Sequence, residues 1–262
     1  MEVITFTRMI PDVITPMPAD KAALGYMPTS AFQYCEPMRA ASSHGWYLFP
    51  PTDILLSWNG ANVFYWVEDG WQPLIYAHMP GYPELWDSKC PDGYQGLAPP
   101  YLRALPAAGA VQVWSGWLME AVDGWSGLVR PLVNVHRSNF FYCFEAVIEI
   151  DRFRPCPIFV NLQLRATDTP IHLTKVDPLF QLQPVRNECY AVESRSHGIR
   201  DCFGDHPMSS QDWNSFRETI RSTGPEETHR LGDYGAASRK RAKANAERDL
   251  DSLSSAGEGL DA

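Results

Sequence analysis

The chain has 262 residues, of which 45% are hydrophobic, 12% aromatic and 20% charged. That apolar share is enough for a sizeable core and excludes wholesale disorder. With 22 Lys+Arg against 31 Asp+Glu the formal net charge is -9, which argues against a general affinity for nucleic acid, because neutralising phosphates needs a basic face. Nine Trp, 11 Tyr, 12 Phe and 22 Pro weigh against a helix-rich enzyme, since a proline inside a helix costs about 3 kcal/mol.

The start, Met1 to Arg8, alternates like a strand and lacks the basic and apolar regions of a signal peptide. No apolar run reaches the ~18 residues of a membrane span. Cys35, Cys90, Cys143, Cys156, Cys189 and Cys202 are scattered rather than spaced as a disulfide framework. Together these predict a cytoplasmic protein with reduced thiols and no membrane partner.

Short strands broken by turns fill residues 1 to about 190. Tyr47-Leu48-Phe49 runs into Pro50-Pro51, and Ile54 to Trp58 meets Asn59-Gly60 before Asn62 to Val67. That pattern predicts a hairpin with a type I′ turn. The stretch from Pro80 to Pro106 reads as a long proline-rich loop, of the kind that often serves as a lid. Val111 to Leu118 follows, then Gly127 to Leu132. In the first of these Trp114 and Trp117 have opposite parity, so one is expected to border a pocket or a bulge.

Phe140 to Ile150, Ile158 to Arg165, Ile171 to Thr174 and Leu179 to Val185 are the clearest strands. Ile158, Val160, Leu162 and Leu164 alternate with Phe159, Asn161, Gln163 and Arg165, which predicts one buried face. Strands this short and this closely spaced argue for a sandwich or barrel. Ser209 or Ser210 caps a predicted helix over Gln211 to Arg221. Beyond about Thr223 aromatics thin out and charges cluster, which predicts a charged tail, helical over Ala236 to Leu253 and disordered at its end. The expected organisation is a β domain over 1–208, a helix over 209–224 and a tail over 225–262.

The order Val147-Ile148-Glu149 with Asp151 and Phe153, the Ile158 strand, Thr169-Pro170-Ile171 and Phe180-Gln181-Leu182 resembles the third motif and closing strands of the dUTPase/dCTP-deaminase fold. The resemblance covers about 40 residues and is carried more by spacing than by identity. It implies a β-clip or distorted jelly-roll, and a homotrimer. It also implies that Glu149 stands where that family has its general-base Asp, and Phe153 where it has the Tyr beneath deoxyribose. Arg137-Ser138-Asn139 echoes its Arg-Ser-Ser phosphate motif. Ile10-Pro11-Asp12, His44-Gly45-Trp46, Trp58-Asn59-Gly60 and Phe180 to Val185 also resemble, in order, the uncharacterised bacterial family called domain of unknown function 6065. That likeness implies kinship but no activity.

Several constellations carry chemistry. Cys189-x7-His197-x4-Cys202-x3-His206 supplies four ligands of the type that suits tetrahedral Zn²⁺, although no short Cys-x2-4-Cys knuckle is present. His44 sits before a strand, with Gly45 free to take a positive φ. Asn134, His136, Arg137 and Asn139 form a polar cluster between apolar strands. Within it Arg137 has the fork for an anionic group, and His136 is either a general base or simply exposed. Aromatic walls bind rings and sugars by stacking, and equally serve as plain core.

The expectation is a mostly β protein with a C-terminal helix and flexible tail that binds a small ligand. Its binding residues would be His44, Trp46, Trp58, Arg137 and Phe153. Glu149 and His136 would act if it is instead a metal-assisted or diverged nucleotide-hydrolase-like enzyme. The third reading is a non-catalytic module of a larger assembly.

Overall fold

The computed structural model describes residues 2–68, 70–136, 138–204, 207–220, 232, 234–241 and 243–244. In chain order the strands are β1 (Ile4–Arg8), β2 (Met17–Pro18), β3 (Trp46–Leu48), β4 (Ile54–Trp58), β5 (Val63–Val67), β6 (Gly70–Pro73), β7 (Tyr76–Ala77) and β8 (Leu102–Ala104). They continue as β9 (Ala110–Ala121), β10 (Trp125–Arg130), β11 (Phe141–Cys143), β12 (Ala146–Ile148), β13 (Cys156–Leu164), β14 (Ile171–Leu173) and β15 (Phe180–Arg186). The α-helices are α1 (Thr29–Tyr34), α2 (Glu36–Ser42), α3 (Tyr82–Lys89) and α4 (Ser210–Ile220).

The protein is mostly β, as its composition and turn spacing predict. Among the described residues the strands form three antiparallel sheets. The first runs β11-β13-β9-β8-β7, with β1 also on β9. The second runs β12-β10-β15-β3-β2 and the third β14-β4-β5-β6. β13 behaves as its alternation requires: Ile158, Val160, Leu162 and Leu164 are buried while Phe159, Asn161 and Gln163 are half-buried.

β9 is the long central strand, and its bulge explains the tryptophan parity. Gly116 takes φ +83°, and the pairing with β13 shifts between Pro157 and Phe159. The extra residues turn both Trp114 and Trp117 into the core, where the Trp114 indole N–H donates to the Trp117 carbonyl at 2.8 Å. The same bulge divides β9's other edge between β8 and β1.

Four local expectations are corrected. The hairpin β4–β5 forms, but its loop holds Asn59 to Asn62, since Trp58 pairs with Val63. Asn59 Oδ1 accepts from the backbone N–H groups of Ala61 and Asn62 at 3.0 and 2.8 Å, an arrangement a two-residue type I′ turn cannot make. The run Phe140 to Ile150 is two strands on different sheets. β11 pairs with β13, whereas β12 pairs with β10, and the crossing falls at Phe144-Glu145. The Pro80–Pro106 stretch contains α3 and β8, because Pro83 sits in the first turn of α3, where its missing N–H costs nothing. The short helices α1 and α2 also stand where only strands and turns were expected.

α4 starts as predicted. Ser209 Oγ accepts from the Asp212 N–H at 3.1 Å, and Asp212 Oδ2 accepts from the Ser209 N–H at 3.0 Å, a reciprocal cap. Residues 234–241 and 243–244 are helical, beginning two residues before the stretch Ala236 to Leu253 read as a tail helix. The remainder of that expected helix and the chain end lie outside the described residues. All six cysteines are free thiols. Among the described residues no helix is long and apolar enough to cross a membrane.

Candidate functional site

The segment after β10 builds a wall. Leaving Arg130, the chain runs through Pro131 to Phe140 before β11. Gln181 on β15 is fully buried and holds this segment from beneath. Its Oε1 accepts from the Val133 N–H at 3.1 Å, and its Nε2 donates to the carbonyls of His44 and Ser42 at 2.7 and 3.1 Å. Asn134, at φ +59°, donates from Nδ2 to Ser42 Oγ at 2.9 Å and to the Met38 carbonyl at 3.3 Å. The wall is thus fixed to α2 and to His44 just before β3, and Asn134 is spent on structure.

Two clefts flank the far end of this wall. One, of about 460 Å³, is lined by Tyr26, Ser138, Phe140, His172, Thr174 and Asp177 together with apolar neighbours. The other, of about 250 Å³, is lined by Val135, His136, Asn139, Tyr142 and Arg165 among others. Ser138, Phe141, Pro178 and Leu179 line both, so the two clefts adjoin along one groove. Its polar groups are partly ordered already. Ser138 Oγ accepts from the Phe140 N–H at 3.0 Å, His136 Nε2 lies 3.1 Å from Asn139 Oδ1, and Thr174 Oγ1 donates to Asp177 Oδ2 at 2.6 Å. His172 points away from the core because its neighbours Ile171 and Leu173 point into it, as strand alternation demands.

Of the residues singled out from the sequence, His136 lines this groove. Arg137 lies outside the described residues. His44 is exposed, with Nε2 3.1 Å from the Pro184 carbonyl. Trp46 meets Phe6 edge-on at 5.3 Å. Trp58 is half-buried on β4, and its indole N–H is buried without a hydrogen-bond partner among the described residues. Glu149 is exposed beyond β12 and pairs with Arg152 at 3.4 Å, and Phe153 is 66% exposed. His44, Trp46, Trp58, Glu149 and Phe153 line neither cleft of the groove.

Cys189 is exposed on the 3-10 turn Asn187–Tyr190, His197 Nδ1 lies 3.2 Å from the Arg195 carbonyl, and Cys202 is half-buried. His206 lies outside the described residues. Among the described residues no three His, Cys, Asp or Glu side chains are placed to hold a metal.

Tyr26, His172 and Thr174 were not singled out from the sequence. They reach the groove from near the 3-10 turn at residues 23–25 and from β14, and no local motif joins them to His136.

A second polar centre lies around Asp151, at the turn after β12. Its Oδ2 accepts from the Gly124 N–H at 2.9 Å and from Asn187 Nδ2 at 2.8 Å. The Gly124 bond, then the Asn187 bond, holds its carboxyl below the usual range against the opposing effect of burial. Ser126 Oγ donates to Asn187 Oδ1 at 2.7 Å and lies 2.6 Å from the Tyr190 hydroxyl. This network ties three loops together.

No family model matches the chain, and no curated protein matches it. Kinship with the uncharacterised bacterial family therefore has no support beyond the order of those tripeptides. Among solved structures the chain is similar to the dUTPase from phage phi11 of S. aureus, at 8% identity over 78% of this chain and 97% of that one, with a TM-score of 0.36. It is also similar to the dUTPase of Staphylococcus bacteriophage 80alpha, at 8% identity over 79% and 98% of the two chains, with a TM-score of 0.34. A superposition at this level transfers no residue, substrate or assembly to this chain.

Proposed function

We propose that this protein binds a small, ring-bearing polar ligand in the groove between β11, β14 and the 131–140 wall. The observation that supports this reading is the adjoining pair of clefts, which share Ser138, Phe141, Pro178 and Leu179. The groove combines aromatic surface from Tyr26, Phe140 and Tyr142 with hydroxyl, imidazole and carboxylate groups, the mixture that fixes a ring by stacking and orients it by hydrogen bonds. The larger of its two clefts, at about 460 Å³, falls within the range of small-molecule sites, about 300–1,000 Å³.

The test is a thermal-shift screen of the full chain against nucleosides, nucleotides, sugars and amino acids, followed by titration of each hit. A ligand at a hundredfold its Kd stabilises by about 2.7 kcal/mol. A hit whose affinity falls at least tenfold in both His136→Ala and His172→Ala, with unchanged melting of the free variants, supports the groove. Hits indifferent to both substitutions, or no hit in any class, would sink the reading.

A further inference from the structure

The groove lies between two sheet edges. β11 ends the first sheet and β14 ends the third, so among the described residues neither has a strand on its outer side. On β11 the Phe140 carbonyl accepts from the Arg165 N–H at 2.7 Å, and the Phe144 N–H donates to the Asn161 carbonyl at 2.9 Å. Residues two apart send their backbone groups to the same side of a strand. Phe140, Tyr142 and Phe144 therefore face β13, and Phe141 turns its N–H and C=O off the edge. On β4 the Asn59 N–H donates to the Asn62 carbonyl across the hairpin at 3.2 Å, whereas the Trp58 carbonyl accepts from the Asp168 N–H on the other side at 2.7 Å. By the same alternation Leu56 and Ile54 face β14, where they pair with Ile171 and Leu173. The backbone N–H and C=O of His172 therefore point away from β4.

Both openings meet in one cleft, and each is one residue long. Phe141 and His172 line the cleft of about 460 Å³. Past Phe141 the next outward position is Cys143, which is buried with its thiol on the Leu179 carbonyl. Past His172 the next is Thr174, whose carbonyl already accepts from the Asp177 N–H at 3.2 Å, and before it stands Pro170, which has no N–H. Open strand edges are templates for another strand. A donor–acceptor pair on each side of one cleft calls for a ligand with such pairs on both of its own sides. Successive residues of an extended peptide present theirs alternately to left and right. The same cleft exposes the rings of Tyr26 and Phe140, at 48% and 47%, as a seat for an aromatic side chain.

Resting on the reading of the groove as a ligand site, we propose that its ligand is a short extended peptide with an aromatic side chain. Its backbone pairs with His172 on β14 and Phe141 on β11, and its ring sits against Tyr26 and Phe140.

The probe is N-acetyl-Ala-Phe-Ala-amide, titrated calorimetrically into the full chain. It should saturate one site. The same peptide N-methylated at all three residues keeps the ring but loses those N–H groups, and should bind about tenfold more weakly. N-acetyl-Ala-Ala-Ala-amide, without the ring, should also bind severalfold more weakly. His172→Ala keeps the edge N–H and sets the baseline for loss of the imidazole. His172→Pro removes that N–H, which the β14–β4 ladder does not use, and should bind the peptide about fivefold more weakly than His172→Ala. The N-methylated peptide needs no variant and decides the question if His172→Pro fails to fold. No saturable heat with the peptide, equal affinity for its N-methylated form, or equal affinity in folded His172→Ala and His172→Pro overturns the proposal. A nucleoside or sugar that binds through His136 and His172 while the peptide stays silent keeps the groove as a site and overturns only the peptide. A peptide bound with full affinity in both His136→Ala and His172→Ala sits elsewhere and overturns it as well.

Discussion

Asn187 donates from Nδ2 to Oδ2 of Asp151 at 2.8 Å, joining the end of β15 to the turn after β12. The Gly124 N–H reaches the same oxygen at 2.9 Å, and the Asn187 N–H donates to the Gly124 carbonyl at 3.0 Å. One carboxylate therefore gathers the β9–β10 turn, the β12–β13 turn and the exit of the last strand.

The charge on Asp151 sets an acid limit. Its folded-state pKa lies below the ordinary value, first because of the Gly124 N–H and then Asn187. A depressed carboxylate contributes stability above its unfolded pKa of ~4 and loses it as the pH falls through the folded value. Urea melts from pH 7 down to pH 2.5 should show stability dropping below about pH 4. Asp151→Asn should be less stable at pH 7 and lose part of that dependence. A variant with the same pH profile as the parent would rule the network out as a source of it.

Gly45 is irreplaceable on two counts. It takes φ +91°, and a Cβ there would overlap the Leu182 carbonyl oxygen of the neighbouring strand. The strand pairing Trp46 with Leu182 begins one residue later. Gly45→Ala should cost about 2–4 kcal/mol, from the left-handed backbone and the forced shift of β15. Gly60→Ala, also at positive φ but with its nearest neighbour 3.9 Å away, isolates the backbone share at about 1–2 kcal/mol. Equal losses in the two variants would refute the clash.

The thiols should separate by burial. Cys143 and Cys156 are 8% and 1% exposed, and burial pushes their pKa values up to about 12 and about 11. Since the thiolate is the nucleophile, both should be inert to a disulfide reagent at pH 8 until the chain unfolds. Cys189 is exposed and should react first. Mass mapping after a short pulse checks the order, and early labelling of Cys143 would contradict the packing of β11 on β13.

What the sequence disclosed depended on whether the signal was local. The alternation of Ile158 to Leu164 marked β13 because one face is buried along its whole length. The Asn59-Gly60 pair marked the β4–β5 hairpin, although the loop proved two residues longer. Phe140 to Ile150 misled for a physical reason. A period of two looks the same on either sheet, so nothing local reveals that the chain crosses between them at Phe144-Glu145. The polar break at Asn134 to Asn139 was visible as a break. His172 and Tyr26 could not be joined to it, because only the packing of β14 and the early helical segment brings them there.

The groove's wall rests on Gln181, and this gives the last expectation. The side chain is fully buried and serves the Val133 N–H and the carbonyls of Ser42 and His44. Gln181→Leu keeps the bulk but leaves those backbone groups without this partner. Each such loss costs about 1–3 kcal/mol, offset in part by the easier burial of Leu. A net loss of about 2–4 kcal/mol follows, together with faster amide exchange at Val133 to His136, since the link to His44 is lost and the wall's hold on α2 is then reduced to Asn134. Gln181→Glu should be worse still, because it buries a charge beside two carbonyl oxygens and lacks the donor they use. Exchange that quickens across all of β15 and not selectively in the wall would mean that Gln181 supports the sheet and not the groove.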